Sequence, residues 1–118
     1  MKYEYYNPPY ENMNCIIRSI SKALDKKPED VEKELLSISK DYRKEKVWEK
    51  YLSKHTFYIV DTYKNKNLLI TNLEGVNIVY AKSKDWHHLV CVIDNKVFDK
   101  ASLDDLSNMT ILKVYKLR

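Results

Sequence analysis

The amino-acid sequence predicts an α+β fold in one domain, residues 1–118, with an N-terminal helical part of about three helices packed on a C-terminal antiparallel β-sheet. Apolar residues recur at helical spacing in the first half of the chain, and from Phe57 onward they form short runs that resemble strands. A chain of 118 residues can bury one modest core, and it holds no repeat or long linker. Helices followed by strands are typical of an α+β domain.

The chain opens with an extended aromatic segment, Lys2 to Tyr10, which ends at Pro8 and Pro9. Its tyrosines either pack over the core, line a substrate groove or form a platform on which bases stack. The first helix is predicted over residues 14–24, with Asn14 as its N-cap and Cys15 on its first turn.

Two further helices are predicted before the strands. The second begins at Pro28, a residue type suited to the first turn, and its apolar stripe consists of Val31, Leu35 and Ile38. The third lies around Val47 to Leu52, after a charged run at 40–46 that we expect to be solvated. His55 is expected to end this helix.

Six short runs are predicted to be strands, because they are rich in β-branched and aromatic residues and bounded by Asn, Asp, Lys or Gly. They cover residues 57–60, 68–70, 76–80, 88–93, 96–98 and 111–117. Asp94-Asn95 between two of them is typical of a two-residue hairpin turn, since both residue types tolerate a positive φ. This turn would pair Ile93 with Lys96 and Cys91 with Phe98.

The predicted register places His88 and Asp99 on one face of the sheet as diagonal neighbours, within reach of a hydrogen bond. His87 and Cys91 point to the opposite face. We therefore expect His88 to be the histidine that meets Cys15, Asp99 to orient its ring, and Cys91 not to meet Cys15.

A thiol on the first turn of a helix lies in the positive field of the helix start, which favours the nucleophilic thiolate. With His88 as base and Asp99 as the group that holds the imidazole, Cys15 would complete a Cys–His–Asp site. Main-chain N–H groups at the helix start would stabilise an oxyanion. The alternative is that Cys15 is a small apolar residue in the core.

Composition narrows the function classes. Lys and Arg number 21 against 17 for Asp and Glu, without a basic arm, so no nucleic-acid partner is expected. No apolar run could span a bilayer and no leader pattern follows Met1, which predicts a soluble, cytoplasmic protein without a membrane partner. Two cysteines without metal-ligand spacing predict no metal site, and a single glycine excludes a glycine-rich phosphate loop. No cofactor is expected, whereas a Cys15–Cys91 disulfide remains open by counting alone.

Several stretches resemble the papain-like cysteine peptidase superfamily, and within it small bacterial and phage-encoded proteins related to bacteriocin-processing peptidase domains. The matching pieces cover much of the chain and are Tyr6-Asn7-Pro8, residues 14–24, Tyr51 to His55, His88-Leu89-Val90 and Lys96 to Asp99. The resemblance implies a papain-like fold with Cys15 as nucleophile, His88 as general base and Asp99 as third member. It also implies an amide side chain in the oxyanion hole, for which Asn7 is the candidate and Asn12 the alternative.

The expected function is therefore a cysteine hydrolase that cleaves a peptide or isopeptide bond of a polypeptide through a thioester. Two alternatives stay open. A catalytically silent, peptidase-like module of possible phage origin would bind or inhibit a protein partner through its tyrosine-rich start. An acyltransferase would use the same residues but pass the acyl group to an amine.

Overall fold

A computed structural model describes all residues, 1–118, and it contains four helices and one six-stranded sheet. The helices are α1 (Cys15–Leu24), α2 (Pro28–Ile38), α3 (Glu45–Lys54) and α4 (Leu103–Ser107). The strands are β1 (Lys2–Tyr5), β2 (Phe57–Val60), β3 (Val76–Lys82), β4 (His87–Ile93), β5 (Lys96–Asp99) and β6 (Thr110–Leu117). The expectation of an α+β fold is confirmed, and no helix is both long and apolar enough to cross a membrane.

The sheet has the strand order β1-β5-β4-β3-β6-β2. All neighbouring pairs are antiparallel except β1 and β5, which run parallel. The expected order, helices first and a purely antiparallel sheet afterwards, is therefore wrong at the N-terminus. The segment Lys2–Tyr5 is extended as predicted. Its main chain pairs with the free edge of β5, which lies more than ninety residues later in the chain. The Lys2 N–H, for example, bonds to the Asn95 carbonyl at 2.9 Å.

The sheet has a core on each face. On one face α1, α2 and α3 pack over side chains such as Ile78, Leu89 and Cys91. On the other face, α4 and the long connection between β2 and β3 cover a second cluster that includes Val90, Val92 and Val97. Alternate residues of β4 thus enter opposite cores, which fixes the register of this central strand.

The predicted strand at residues 68–70 does not form. Leu68 is buried in the second cluster but Ile70 is 84% exposed, and the segment turns instead of extending. β2 pairs with β6 only from Val114 onward, and residues 65–67 pair with its start, through bonds from the Asn65 N–H to the Ile111 carbonyl and from the Ile111 N–H to the Lys66 carbonyl, both 2.8 Å. The chain turns directly after this short pairing. The Leu68 N–H bonds to the Met109 carbonyl at 3.0 Å, just before β6 begins.

The helices follow the local signals closely. Asn14 caps α1 and Pro28 opens α2, whose Val31 and Leu35 are fully buried as the stripe predicted. Sequence reasoning missed α4, although Ser102 caps it through the Asp105 N–H, in the Ser-x-x-Asp pattern that signals a helix start.

Candidate active site

The first turn of α1 presents Cys15 at the sheet. The Asn14 side chain accepts a hydrogen bond from the Ile17 N–H at 3.0 Å and donates one to the Tyr42 hydroxyl at 2.9 Å. This cap uses one of the unpaired donors of the first turn. The N–H groups of Cys15 and Ile16 have no acceptor within the helix, so they remain available beside the thiol.

The hairpin after β4 sets the positions of His88 and Asp99. Asp94 and Asn95 adopt the positive φ values that a two-residue turn requires, 46° and 62°. Ile93 pairs with Lys96 and Cys91 with Phe98, so the predicted register is confirmed. It brings the two side chains together on one face, with His88 Nε2 at 2.6 Å from Asp99 Oδ2.

Both groups are removed from water. His88 is 6% and Asp99 1% exposed, and Asp99 Oδ2 also accepts a hydrogen bond from the Ala101 N–H at 3.1 Å. Cys15 and His88 line the same cavity, and each alters the pKa of the other. Because Nε2 is held by the carboxylate, Nδ1 is the ring nitrogen left free to interact with the thiol. The carboxylate thus orients the imidazole, and the thiol lies next to it at the cavity.

The thiol reaches His88 in a way that strand alternation did not suggest. Cys15 packs against the helix-side core, which also holds Leu89 and Cys91, whereas the face of His88 belongs to the other core. The pairing of β4 with β5 runs from Ile93–Lys96 to Cys91–Phe98, so Leu89 lies beyond the paired part of β4. In a two-residue hairpin the N–H groups of Ile93, Cys91 and Leu89 point toward the paired strand.

The Leu89 N–H helps to lower the pKa of the Cys15 thiol, so the start of α1 lies close to this end of β4. Cys15, His88 and Leu89 line one cavity, although the side chains of Cys15 and His88 belong to different faces.

Burial by itself would raise the pKa of Cys15. The hydrogen bond and positive charge of His88, the Leu89 N–H and the charge of Arg18 outweigh burial and hold the pKa of Cys15 below that of an ordinary thiol. Burial likewise acts to lower the pKa of His88, but the hydrogen bonds and negative charges of Asp99 and Cys15 raise it to about 9. Both directions act toward a thiolate–imidazolium pair.

The thiol opens into a small cavity of about 120 Å³. Buried Trp48 and half-buried Tyr80 form its aromatic wall, with their ring centroids 5.2 Å apart. His87 stacks on Tyr80 from the neighbouring strand, at 5.7 Å between centroids, and exposed Arg43 stands at the rim. A narrow, mostly apolar slot thus leads to a charged pair of reacting groups.

The two amide candidates lie elsewhere. Asn12 is exposed and donates a hydrogen bond to Glu32 on α2 at 3.0 Å. The Asn7 side-chain oxygen accepts one from Arg18 Nε at 3.0 Å. Neither residue lines the cavity at Cys15.

Arg18 is the site residue that sequence reasoning missed. Its side chain is 3% exposed and its Nη1 lies 3.7 Å from Asp99 Oδ1. The signal was present, because an arginine between Ile17 and Ile20 interrupts a helix segment that is otherwise apolar on its buried side. Cys15 and Arg18 also stand at the i, i+3 spacing that places side chains side by side.

The second cysteine, Cys91, is unreactive because it is buried. Cys91 is fully buried, and burial raises its pKa to about 12. Both cysteines are free, which settles the question of a bridge between them. No group of three His, Cys, Asp or Glu side chains in the structure has an arrangement that could hold a metal ion.

Comparison of the chain with protein-family models, with curated proteins and with solved structures found no match. The function has to be inferred from the site itself.

Proposed function

We propose that this protein is a cysteine hydrolase of papain-like architecture, which cleaves a peptide or isopeptide bond through a thioester on Cys15. The observation that carries the proposal is that Cys15 and His88 line one cavity while His88 Nε2 contacts Asp99 Oδ2 at 2.6 Å. A cysteine packed only as a small apolar residue needs neither feature. The order of the three groups along the chain, with the thiol opening a helix and the other two on paired strands, fits the same architecture.

In the first half of the reaction, the Cys15 thiolate attacks the carbonyl carbon of the bond to be cleaved. The N–H groups of Cys15 and Ile16 are the available donors for the oxyanion that develops. The imidazolium of His88 gives its proton to the departing amine, the carbon–nitrogen bond breaks, and a thioester remains on Cys15.

In the second half, neutral His88 takes a proton from a water molecule as that water attacks the thioester. The carbon–sulfur bond then breaks, a carboxylic acid leaves, and the thiolate–imidazolium pair is restored. Asp99 holds the imidazole by Nε2 throughout, so that Nδ1 stays directed at the reacting atoms.

The test is the rate of Cys15 alkylation by iodoacetamide as a function of pH, read by mass spectrometry. We expect Cys15 to react well below pH 8.5, the ordinary value of a free thiol, and His88→Ala to abolish this early reaction. His87→Ala is the matched control, because it removes the neighbouring imidazole from the opposite face. A Cys15 midpoint at or above 8.5 that does not respond to His88→Ala would refute the nucleophile.

Turnover needs a second measurement. A peptide library incubated with the protein should yield an acyl adduct on Cys15 by mass spectrometry, and cleaved products that Cys15→Ala does not produce. If adducts form but added amines capture the acyl group in preference to water, the protein is an acyltransferase. If Cys15 is unreactive, the remaining alternative is a silent binding or inhibitory module.

A further inference from the structure

We propose that Arg18, anchored by Asn7, is the positioning residue of this site and ties the orientation of Asp99 to the helix that carries the nucleophile. This inference rests on the proposed function and goes beyond its three reacting groups. It also replaces the expected role of Asn7 in an oxyanion hole, since the side-chain oxygen of Asn7 is held by Arg18.

The geometry gives Asp99 two separate attachments. Its Oδ2 lies 2.6 Å from His88 Nε2 and accepts a hydrogen bond from the Ala101 N–H at 3.1 Å. Its Oδ1 faces the guanidinium of Arg18, with Nη1 at 3.7 Å. One carboxylate oxygen therefore binds the imidazole of His88, while the other faces Arg18 on α1.

Arg18 lies one helical turn beyond Cys15. Long side chains on a helix lean toward its N-terminus, so the Arg18 side chain points back toward the thiol. The bond from its Nε to Asn7 Oδ1, at 3.0 Å, gives the guanidinium a second attachment besides Asp99. Any shift of α1 would then move Cys15 and the support of Asp99 together.

Charge balance supplies a second reason for a buried arginine. In the resting state the thiolate, the imidazolium, the carboxylate and the guanidinium add up to zero. In the thioester state Cys15 is acylated and His88 has lost its proton, so only Asp99 and Arg18 are charged and the sum is again zero. Without Arg18 the buried site would carry one uncompensated negative charge in both states, which is costly in an environment with so little water.

The experiment compares the pH midpoint of Cys15 alkylation in the wild type, Arg18→Gln and Lys22→Gln. The charged or titratable groups close to the thiol are Arg18 on its own helix, His87 and His88 on β4, Asp99 on β5, Tyr80 on β3 and Arg43 at the rim. Arg18→Gln removes only the charge of Arg18 and leaves the other groups in place. Lys22→Gln removes a cation one turn further along α1, where it lies over the Phe98 ring at 4.3 Å and does not contact Asp99.

We expect Arg18→Gln to raise the midpoint by about one pH unit, the usual effect of losing one nearby opposite charge. Lys22→Gln should leave it unchanged. Alkylation of Cys91, which is fully buried, reports any loss of folded protein in the same sample. An Arg18→Gln protein that keeps Cys91 protected and has the wild-type midpoint would overturn the proposal.

Two milder variants keep the test decisive if Arg18→Gln does not fold. Arg18→Lys retains the charge but cannot contact Asn7 and Asp99 together, and Asn7→Ala removes only the anchor. Both should raise the midpoint by less than Arg18→Gln, and wild-type midpoints in both would refute positioning through two contacts. The wild-type midpoint and its response to His88→Ala test the proposed function, whereas the difference between Arg18 variants and wild type tests this inference.

Discussion

The substitution Asp99→Asn tests the electrostatics of the site most directly. In the wild type the pKa of His88 is raised to about 9, although burial opposes its protonation. The hydrogen bond to Asp99 is the largest contribution in the raising direction, ahead of that to Cys15. Replacing the carboxylate by an amide of the same shape removes its charge, so we expect the pKa of His88 to fall to the ordinary 6.5 or below.

The size of the effect follows from the two pKa values of His88. The difference between about 9 in the folded protein and 6.5 in the unfolded chain corresponds to about 3 kcal/mol of stability. Because the folded value is the higher one, this contribution is fully present below pH 6.5 and is lost as the pH rises through about 9. The pH-dependent part of the free energy of unfolding should therefore shrink in Asp99→Asn.

The assay is a nuclear magnetic resonance titration of the three imidazoles, combined with denaturant unfolding at pH 6 and pH 10. His55 serves as an internal reference, because burial lowers its pKa and it lies near Glu34, away from Asp99. Cys15→Ser, which replaces the thiol by a hydroxyl, should lower the His88 midpoint by less than Asp99→Asn does. The reasoning is refuted if the His88 midpoint of Asp99→Asn stays near 9, or if Cys15→Ser has the larger effect.

Three further predictions concern the buried second cysteine, the packing of the core and a residue with a positive φ. In the folded protein at neutral pH, mass spectrometry should find one alkylated cysteine, and Cys91 should react only in denaturant, because it is buried with its pKa raised to about 12; equal labelling of both would contradict this. Leu35→Ala should lower the free energy of unfolding by about 2–5 kcal/mol, as for other buried leucines, whereas Leu36→Ala next to it, with 47% of the side chain exposed, should change it by less than about 0.5 kcal/mol. Thr56→Gly should raise the free energy of unfolding by about 1 kcal/mol, because Thr56 is a β-branched residue at a φ of 66°; a lower melting temperature would argue against strain at this residue.

The half of the site on the strands could be predicted from the sequence because the signals are local. A two-residue turn at Asp94-Asn95 sets the pairing of β4 with β5, and side-chain alternation then leaves His88 and Asp99 on one face. The N-cap at Asn14 is local in the same sense, since the residue that caps the helix lies three positions before the N–H that it binds. Such contacts depend on a few neighbouring φ and ψ values, which residue type biases strongly.

Long-range contacts were beyond sequence reasoning. That β1 joins the sheet depends on which strand edge remains open, and the edge at the start of β6 is paired by residues 65–67 and not by the predicted strand at 68–70. The meeting of Cys15 with His88 at one cavity depends on how α1 packs against the end of β4, which no local pattern predicts. Alternation of side chains alone would have kept the two on different faces.

The sequence by itself determined the first three helices, the hairpin register and the three residue types that can act as nucleophile, base and orienting group. Only the tertiary structure decided that Arg18 contacts Asp99, that Asn7 holds Arg18, and that Cys15 and His88 line one cavity. The physical reason is that a buried charge or N–H group needs a partner, and which partner it meets depends on how the whole core packs. Residues far apart in the chain meet in that core, and no local sequence pattern predicts the contact.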